Sequence, residues 1–351
     1  MTRRETNILK GIAIILMYMH HLFYSNDGLP YPIIWSDLEM PLVVNLSRFG
    51  KVCVAIFVFV SAYGLTKQYE KKKIFQNKIV VKDAIGRYKK LLLNFWCIYV
   101  LFFLVSLFSE SHTWWNRYGE DGVLPAIKYF VIDILGLAEL FGTPTFNSTW
   151  WYLSLAIVLF IVVPLINRLY DEIGALCIPA TIIISAIAYS PNNIGEYLLR
   201  YLFGVALGVV LARENSFERW RSFGQKRPAV FVGSSFGLII VLMASVYLRN
   251  NGLITPRTID NVVAVLLALL VLIVFDWKWT GVVGNILESF GKHSMNMFLS
   301  HTFIKAYYFE EFTYSFGYWW LILIVLLADT WLISVIIESI KEKYVKWIVS
   351  K

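Results

Sequence analysis

The residues best suited to chemistry in this 351-residue chain are a lysine and a histidine eleven positions apart, Lys10 and His21. They lie in the run Asn7-Ile-Leu-Lys10-Gly11-Ile-Ala-Ile-Ile-Leu-Met-Tyr18-Met-His20-His21-Leu-Phe-Tyr24, whose apolar length predicts a helix. At about 100° per residue, eleven steps end about 20° beyond three full turns, so the two side chains share a face. At about 1.5 Å per residue they stand roughly 16 Å apart along the axis. His20 points about 80° away from Lys10 on the same geometry. A cation at one end and an imidazole further along suit an anion grip and proton chemistry, since imidazole titrates near neutrality. The spacing equally allows a lysine that snorkels to an interface and a histidine that only hydrogen-bonds a neighbouring helix.

A second group is basic. The segment 67–90 holds nine Lys and Arg residues and ends in Asp83-Ala-Ile-Gly86-Arg87-Tyr88-Lys89-Lys90. On a helix Arg87 and Lys90 are i, i+3 neighbours. Arg87, Lys89 and Lys90 together suit a phosphorylated ligand, or alternatively anionic lipid headgroups. Other ionisable residues in apolar surroundings are Arg48, Lys51, Arg200, Asp260, Asp276, His301, Lys305, Asp329 and Glu338. Arg48, Lys51 and Arg200 fall near the outer ends of their helices, as candidates for an anionic acceptor or a developing oxyanion, or as snorkelling cations. His301 sits about 10 Å in from the inner side by helix rise, either lining a donor channel or satisfied by a local hydrogen bond. No HExxH motif and no carboxylate pair at ligand spacing occurs, and the three cysteines, Cys53, Cys97 and Cys177, are isolated in apolar runs. Neither a metal site nor a disulfide is expected.

The elements that must position these residues follow from composition. The chain is 58% hydrophobic and only 16% charged, with mean hydropathy +0.62. A soluble domain of this length cannot hide that much apolar surface. Ten segments are long and apolar enough to read as spans: 8–25, 42–66, 90–109, 150–167, 173–190, 197–212, 229–248, 259–276, 294–309 and 318–338. The first lacks a small-residue cleavage site and is read as a retained helix. With the N-terminus inside, the inner segments carry 24 Lys and Arg; the outer ones carry 4, against 11 Asp and Glu. That is the positive-inside pattern, with both termini cytoplasmic. It also accounts for the net charge of +8 without nucleic acid. The stretch 123–141 contains Lys128, Asp133 and Glu139 and is read as an interfacial or re-entrant outer helix. The expected architecture is an all-α polytopic membrane bundle of about ten helices, one domain over residues 1–351.

The same motifs carry a resemblance. Lys10 and His21, with Gly11-Ile12-Ala13 after the lysine, are similar to the opening of the integral-membrane acyltransferase 3 family, bacterial O-acyltransferases of surface glycans. Arg87 and Lys90 match that family's basic pair, with lysine where arginine is usual and the bidentate fork lost. Phe57-Val-Phe-Val-Ser61-Ala62-Tyr63-Gly64, Trp150-Trp151-Tyr152-Leu153 before Pro164, Tyr201-Leu-Phe-Gly204 and Gly291-Lys-His293-Ser294-Met-Asn296 through His301 resemble later landmarks. The resemblance implies a multi-pass protein of a bacterial plasma membrane. It implies acyl-CoA, most often acetyl-CoA, as a cytoplasmic donor substrate rather than a permanently bound cofactor. It also implies a hydroxyl of a cell-surface or lipid-linked glycan as acceptor. On that reading His21 is the catalytic base or an acyl relay, and Lys10, Arg87, Lys89 and Lys90 meet the anionic CoA. The competing expectation is a transporter or flippase of lipid-linked sugars, against which stands the lack of a two-half repeat.

Overall fold

The computed structural model describes residues 1–24, 31–72, 77–188, 195–275 and 281–349. Asp276, the ends of the expected spans 8–25, 173–190 and 259–276, and parts of the segments 67–90 and 191–196 fall outside these residues. The described chain is helical, and its β-pairing is one bridge between Ile34 and Tyr318. Six helical runs are long and apolar enough to cross a membrane: Arg3–Phe23, Glu39–Lys71, Val80–Ser106, Ser148–Ile187, Ala229–Asn250 and Trp319–Lys343. The run Ser148–Ile187 takes in two expected spans, and Thr258–Val274 is apolar but shorter. The expected spans 197–212 and 294–309 lie on helices that carry too much polar character to join the six. Along Ala229–Asn250 only 6% of the most apolar window is buried, and Phe236, Ile240 and Met243 are each about two-thirds exposed. A helix that turns apolar side chains outward all round belongs in lipid.

The chain divides into two compact units. Unit 1 comprises Met1–Leu16, Arg48–Tyr88 and Leu155–Gly291. Its helices are the first part of α1 (Arg3–Phe23), the end of α2 (Glu39–Gly50), α3 (Cys53–Lys72) and the start of α4 (Asn77–Ser106). They continue with most of α8 (Trp151–Ile173), α9 (Cys177–Ile187), α10 (Gly195–Arg213), α11 (Ser216–Lys226), α12 (Pro228–Asn250), α13 (Pro256–Val274) and the start of α14 (Gly281–Thr302). The span expected over 42–66 is broken at residues 51–52, between α2 and α3.

Small residues set how closely these helices approach. A Cβ on Gly11 would fall on the Leu287 carbonyl oxygen, and one on Gly291 on the Asn7 carbonyl oxygen. Glycine therefore lets the α1 and α14 backbones touch, the device by which helices associate in lipid without a hydrophobic drive. A Gly11→Ala chain should lose about 1–3 kcal/mol, read as a lower melting temperature in detergent. A melting temperature equal to wild type would show that the backbone contact is not tight.

Unit 2 comprises Met17–Ser47, Lys89–Ser154 and Lys292–Lys351. It holds the rest of α1, α2, α4 and α14 together with α5 (Trp114–Tyr118), α6 (Val123–Ile134), α7 (Ala138–Phe141), α15 (Glu310–Tyr314) and α16 (Trp319–Val349). A π-helical turn, Phe303–Tyr308, follows α14 directly. The stretch expected as one helix over 123–141 is two: α6 stops at Ile134, the chain turns, and α7 ends on the left-handed Gly142. Twelve residues at about 1.5 Å each reach ~18 Å, too short to cross. Asp133 is the reason α6 stays where it is. Its carboxylate accepts from Tyr118 Oη at 2.5 Å, the Phe146 backbone N–H at 2.7 Å and Thr145 Oγ1 at 2.9 Å. Tyr99 on α4 hydrogen-bonds Tyr118 at 2.7 Å, tying α5 and α6 to α4.

His112, in the loop between α4 and α5, is buried. Its Nε2 hydrogen-bonds the Phe146 carbonyl at 2.8 Å and its ring stacks on Tyr307 at 3.7 Å. Burial pushes the imidazole down to about 4. Because the folded value lies below the unfolded one near 6.5, the unfolded chain takes up the proton first as pH falls. Stability contributed by His112 is therefore complete above pH ~6.5 and is lost on acidification towards 4. Melting temperatures followed from pH 7.5 to 4.5 should fall less steeply in His112→Gln than in wild type; parallel curves would remove His112 as the cause.

Candidate functional site

Unit 2 brings three of the chain's chemically capable side chains together on α1 and α14. The two helices run parallel there: Tyr18 reaches the Met297 carbonyl at 3.1 Å, and three residues on His21 meets His301, with ring centroids 5.0 Å apart. Tyr18 also stacks on His301 at 5.4 Å and donates to Thr330 Oγ1 on α16 at 2.7 Å. His21, half-buried, further meets the edge of His20 at 5.3 Å. His20 turns away as its 100° offset requires, and its Nδ1 donates to the Ser47 carbonyl at 3.0 Å.

His301 has no exposed surface. Its Nδ1 lies 2.6 Å from the Phe298 carbonyl oxygen, which only accepts, so Nδ1 carries a proton. In the neutral ring Nε2 is then the accepting nitrogen, and it faces the Thr302 hydroxyl at 3.2 Å. Thr302 continues to Thr149 Oγ1 at 3.0 Å, and Thr149 to Asn147 Oδ1 at 2.8 Å. The indole of Trp150, just before α8, donates to the Leu299 carbonyl at 3.1 Å, holding the start of α8 against α14. His301 is thus a locked, fully buried imidazole whose ring supports His21. Sequence spacing suggests a place for it among donor-side residues; the fold sets it against the other histidine.

The basic residues fall as follows. Lys10, on the part of α1 in unit 1, is half-buried and forms no hydrogen bond or ion pair among the described residues. Arg87 is held by Asp83 one turn back, with Nε to Oδ2 at 2.5 Å, and by Gln68 Oε1 at 2.9 Å. Lys89 and Lys90, further along α4, are exposed.

Arg48, Lys51 and Arg200 gather round a pair the sequence reading missed. Arg249, at the end of α12, meets Asp260, early in α13, through Nε to Oδ1 at 2.5 Å and Nη2 to Oδ2 at 3.3 Å. Its Nη1 donates to the Arg48 carbonyl at 2.8 Å. Lys51 and Arg200 are close enough to act on the Asp260 carboxylate, and Arg200 is itself paired with Glu196 at 2.7 Å. The signal was available. An arginine two residues before the 251–255 turn and an aspartate five residues after it come within reach of each other once α12 and α13 form a hairpin. Arg200 also lines a cavity of about 280 Å³ with Leu199, Phe203, Thr255 and Thr258.

Tyr18 was likewise missed, although i, i+3 spacing puts it beside His21. Among the described residues, no group of three or more His, Cys, Asp or Glu side chains is placed to hold a metal ion. Comparison with curated proteins and with solved structures returned no match. A family model described as an acyltransferase domain, acyltransferase 3, matches residues 4–338, which takes in both histidines of α1 and about two-thirds of α16. With that match over nearly the whole chain, and with several helices apolar enough to cross a bilayer, the protein is a multi-pass membrane acyltransferase and belongs to the acyltransferase 3 family.

Proposed function

We propose that this protein moves an acetyl group from cytoplasmic acetyl-CoA to a hydroxyl of a cell-surface or lipid-linked glycan at a bacterial plasma membrane. The observation that carries the reading is His21, presented by α1 against a buried, tautomerically locked His301. An imidazole so oriented is built to take a proton. His21 accepts the proton of the acceptor hydroxyl as its oxygen bonds to the thioester carbonyl carbon. The tetrahedral adduct collapses, the C–S bond breaks, and the proton passes to the departing CoA thiolate. His301 positions His21. Lys10 on α1 and Arg87, Lys89 and Lys90 on α4 are assigned to the CoA phosphates; that Lys10 has no carboxylate partner among the described residues supports this. Arg48, Lys51 and Arg200 are assigned to the acceptor. Both termini then face the cytoplasm, as the loop charges require.

The test is thioester loss from acetyl-CoA by the full chain in nanodiscs, together with acetyl-CoA binding by calorimetry. Turnover, or binding in the micromolar range, is expected. Neither binding nor turnover would sink the acetyl donor and favour a transporter of lipid-linked sugars.

A further inference from the structure

Lys305 stands in the π-helical turn that follows α14. It is half-buried, and it forms no hydrogen bond or ion pair among the described residues. Glu310 acts on it electrostatically without pairing. A cation kept unpaired within a membrane bundle is costly, and such groups are retained where they act. Its place supports a specific act. Lys305 is four residues past His301, so even regular α-helix geometry sets the two within about 40° of one face. The wider π turn narrows that offset, and the Lys305 charge is felt at the His301 ring. His301 in turn meets His21, with ring centroids 5.0 Å apart.

The π turn is also held in place. Tyr307 stacks on His112 and its hydroxyl lies 3.2 Å from Ser148 Oγ, while Tyr308 Oη donates to the His112 carbonyl at 2.8 Å. Phe303 stacks on Phe102 at 4.2 Å. Single π turns inside helices recur at functional sites because they re-aim a side chain.

We propose that Lys305 is a catalytic residue, the cation that faces the oxyanion formed when an acyl carbonyl is attacked beside His21. This rests on the acyl-transfer reading of His21. The balance is simple: the attacking atom bonds to the carbonyl carbon, the carbonyl π pair moves onto oxygen, and the Lys305 ammonium neutralises that charge without giving up its proton. When the adduct collapses the pair returns and the leaving group departs. A preorganised cation of this kind typically contributes two to three orders of magnitude in rate.

The test compares wild type, Lys305→Met, Lys305→Gln and Lys305→Arg in the full chain. One readout is acetyl-CoA turnover. The neutral variants should lower kcat about 100-fold with KM within threefold, and Lys305→Arg should recover part of the loss. The second readout needs no acetyl-CoA. Diethyl pyrocarbonate acylates imidazole through the same kind of adduct, and peptide mass spectrometry reads His21 separately from His293. At pH 8, where an ordinary imidazole is neutral, the neutral variants should slow acylation of His21 about tenfold and leave His293 unchanged. Melting temperatures should not fall, because a half-buried cation with no ion-pair partner among the described residues is removed. Equal His21 acylation in wild type and both neutral variants would overturn the proposal, as would a wild-type His21 that resists the reagent. If acetyl-CoA is not consumed but His21 acylation depends on Lys305, the donor reading fails and the oxyanion role stands.

Discussion

Replacing His21 with alanine is expected to reduce acetyl-CoA turnover by about 10²- to 10⁴-fold, the range a positioned general base supplies. The melting temperature should stay close to that of wild type. The expectation separates two roles that helix spacing alone leaves open. A histidine kept for packing would resemble His301, which has no exposed surface. His21 is half-buried, its ring tilted against His301 and in an edge contact with His20. His301→Ala should therefore lower the melting temperature and the activity together, whereas His21→Ala should lower the activity alone. The decisive comparison is turnover per folded molecule. Undiminished turnover in His21→Ala would move the base elsewhere, with His20 next in line because it sits on the same turn.

The second large effect concerns stability. Removing Asp260 should cost about 3–5 kcal/mol, the usual loss when one partner of a buried ion pair is deleted. Both side chains of the Arg249–Asp260 pair are only 6% exposed. The two directions of breaking it should differ. Asp260→Asn leaves Arg249 buried beside Lys51 and Arg200, which already act on that carboxylate. Arg249→Met leaves Asp260 with those two cations still at hand. Asp260→Asn should therefore be the more damaging change, and the double change Arg249→Met with Asp260→Leu should restore much of the loss. Unfolding in mixed micelles with increasing SDS reads all three. Equal losses in the two single variants would mean that Lys51 and Arg200 do not compensate the carboxylate. Because Arg249 also holds the Arg48 carbonyl, loss of the pair should loosen the end of α2, and with it the acceptor-side residues assigned above.

The α1 pair was legible because it needs only helix periodicity. Lys10 and His21 share a face on any straight helix, and an apolar run of that length in a chain this hydrophobic has little choice but to be one. The all-helical membrane architecture was legible for the same reason: lipid forbids unsatisfied backbone, so apolar segments of span length become helices. Periodicity says nothing about which helix lies next to which. It could not reveal that His301, 280 residues downstream, meets His21. Nor does periodicity alone pair Arg249 with Asp260, which takes the further step of folding α12 and α13 into a hairpin. It also could not foresee that 123–141 breaks at residues 135–137, because Asp133 is satisfied only by Tyr118, Thr145 and Phe146 from outside its own helix.

The sequence by itself determined the class of molecule, the run of its apolar helices and the face of α1 that carries chemistry, all of which depend on local repeat and on transfer from water to lipid. The tertiary structure alone decided what that face meets. Close approach at Gly11 and Gly291, the parallel run of α1 beside α14, and a π turn pinned by Tyr307 and Tyr308 arise between segments distant in the chain. Helix pairing in lipid is chosen by shape and polar satisfaction rather than by hydrophobicity, and shape exists only after the helices have packed.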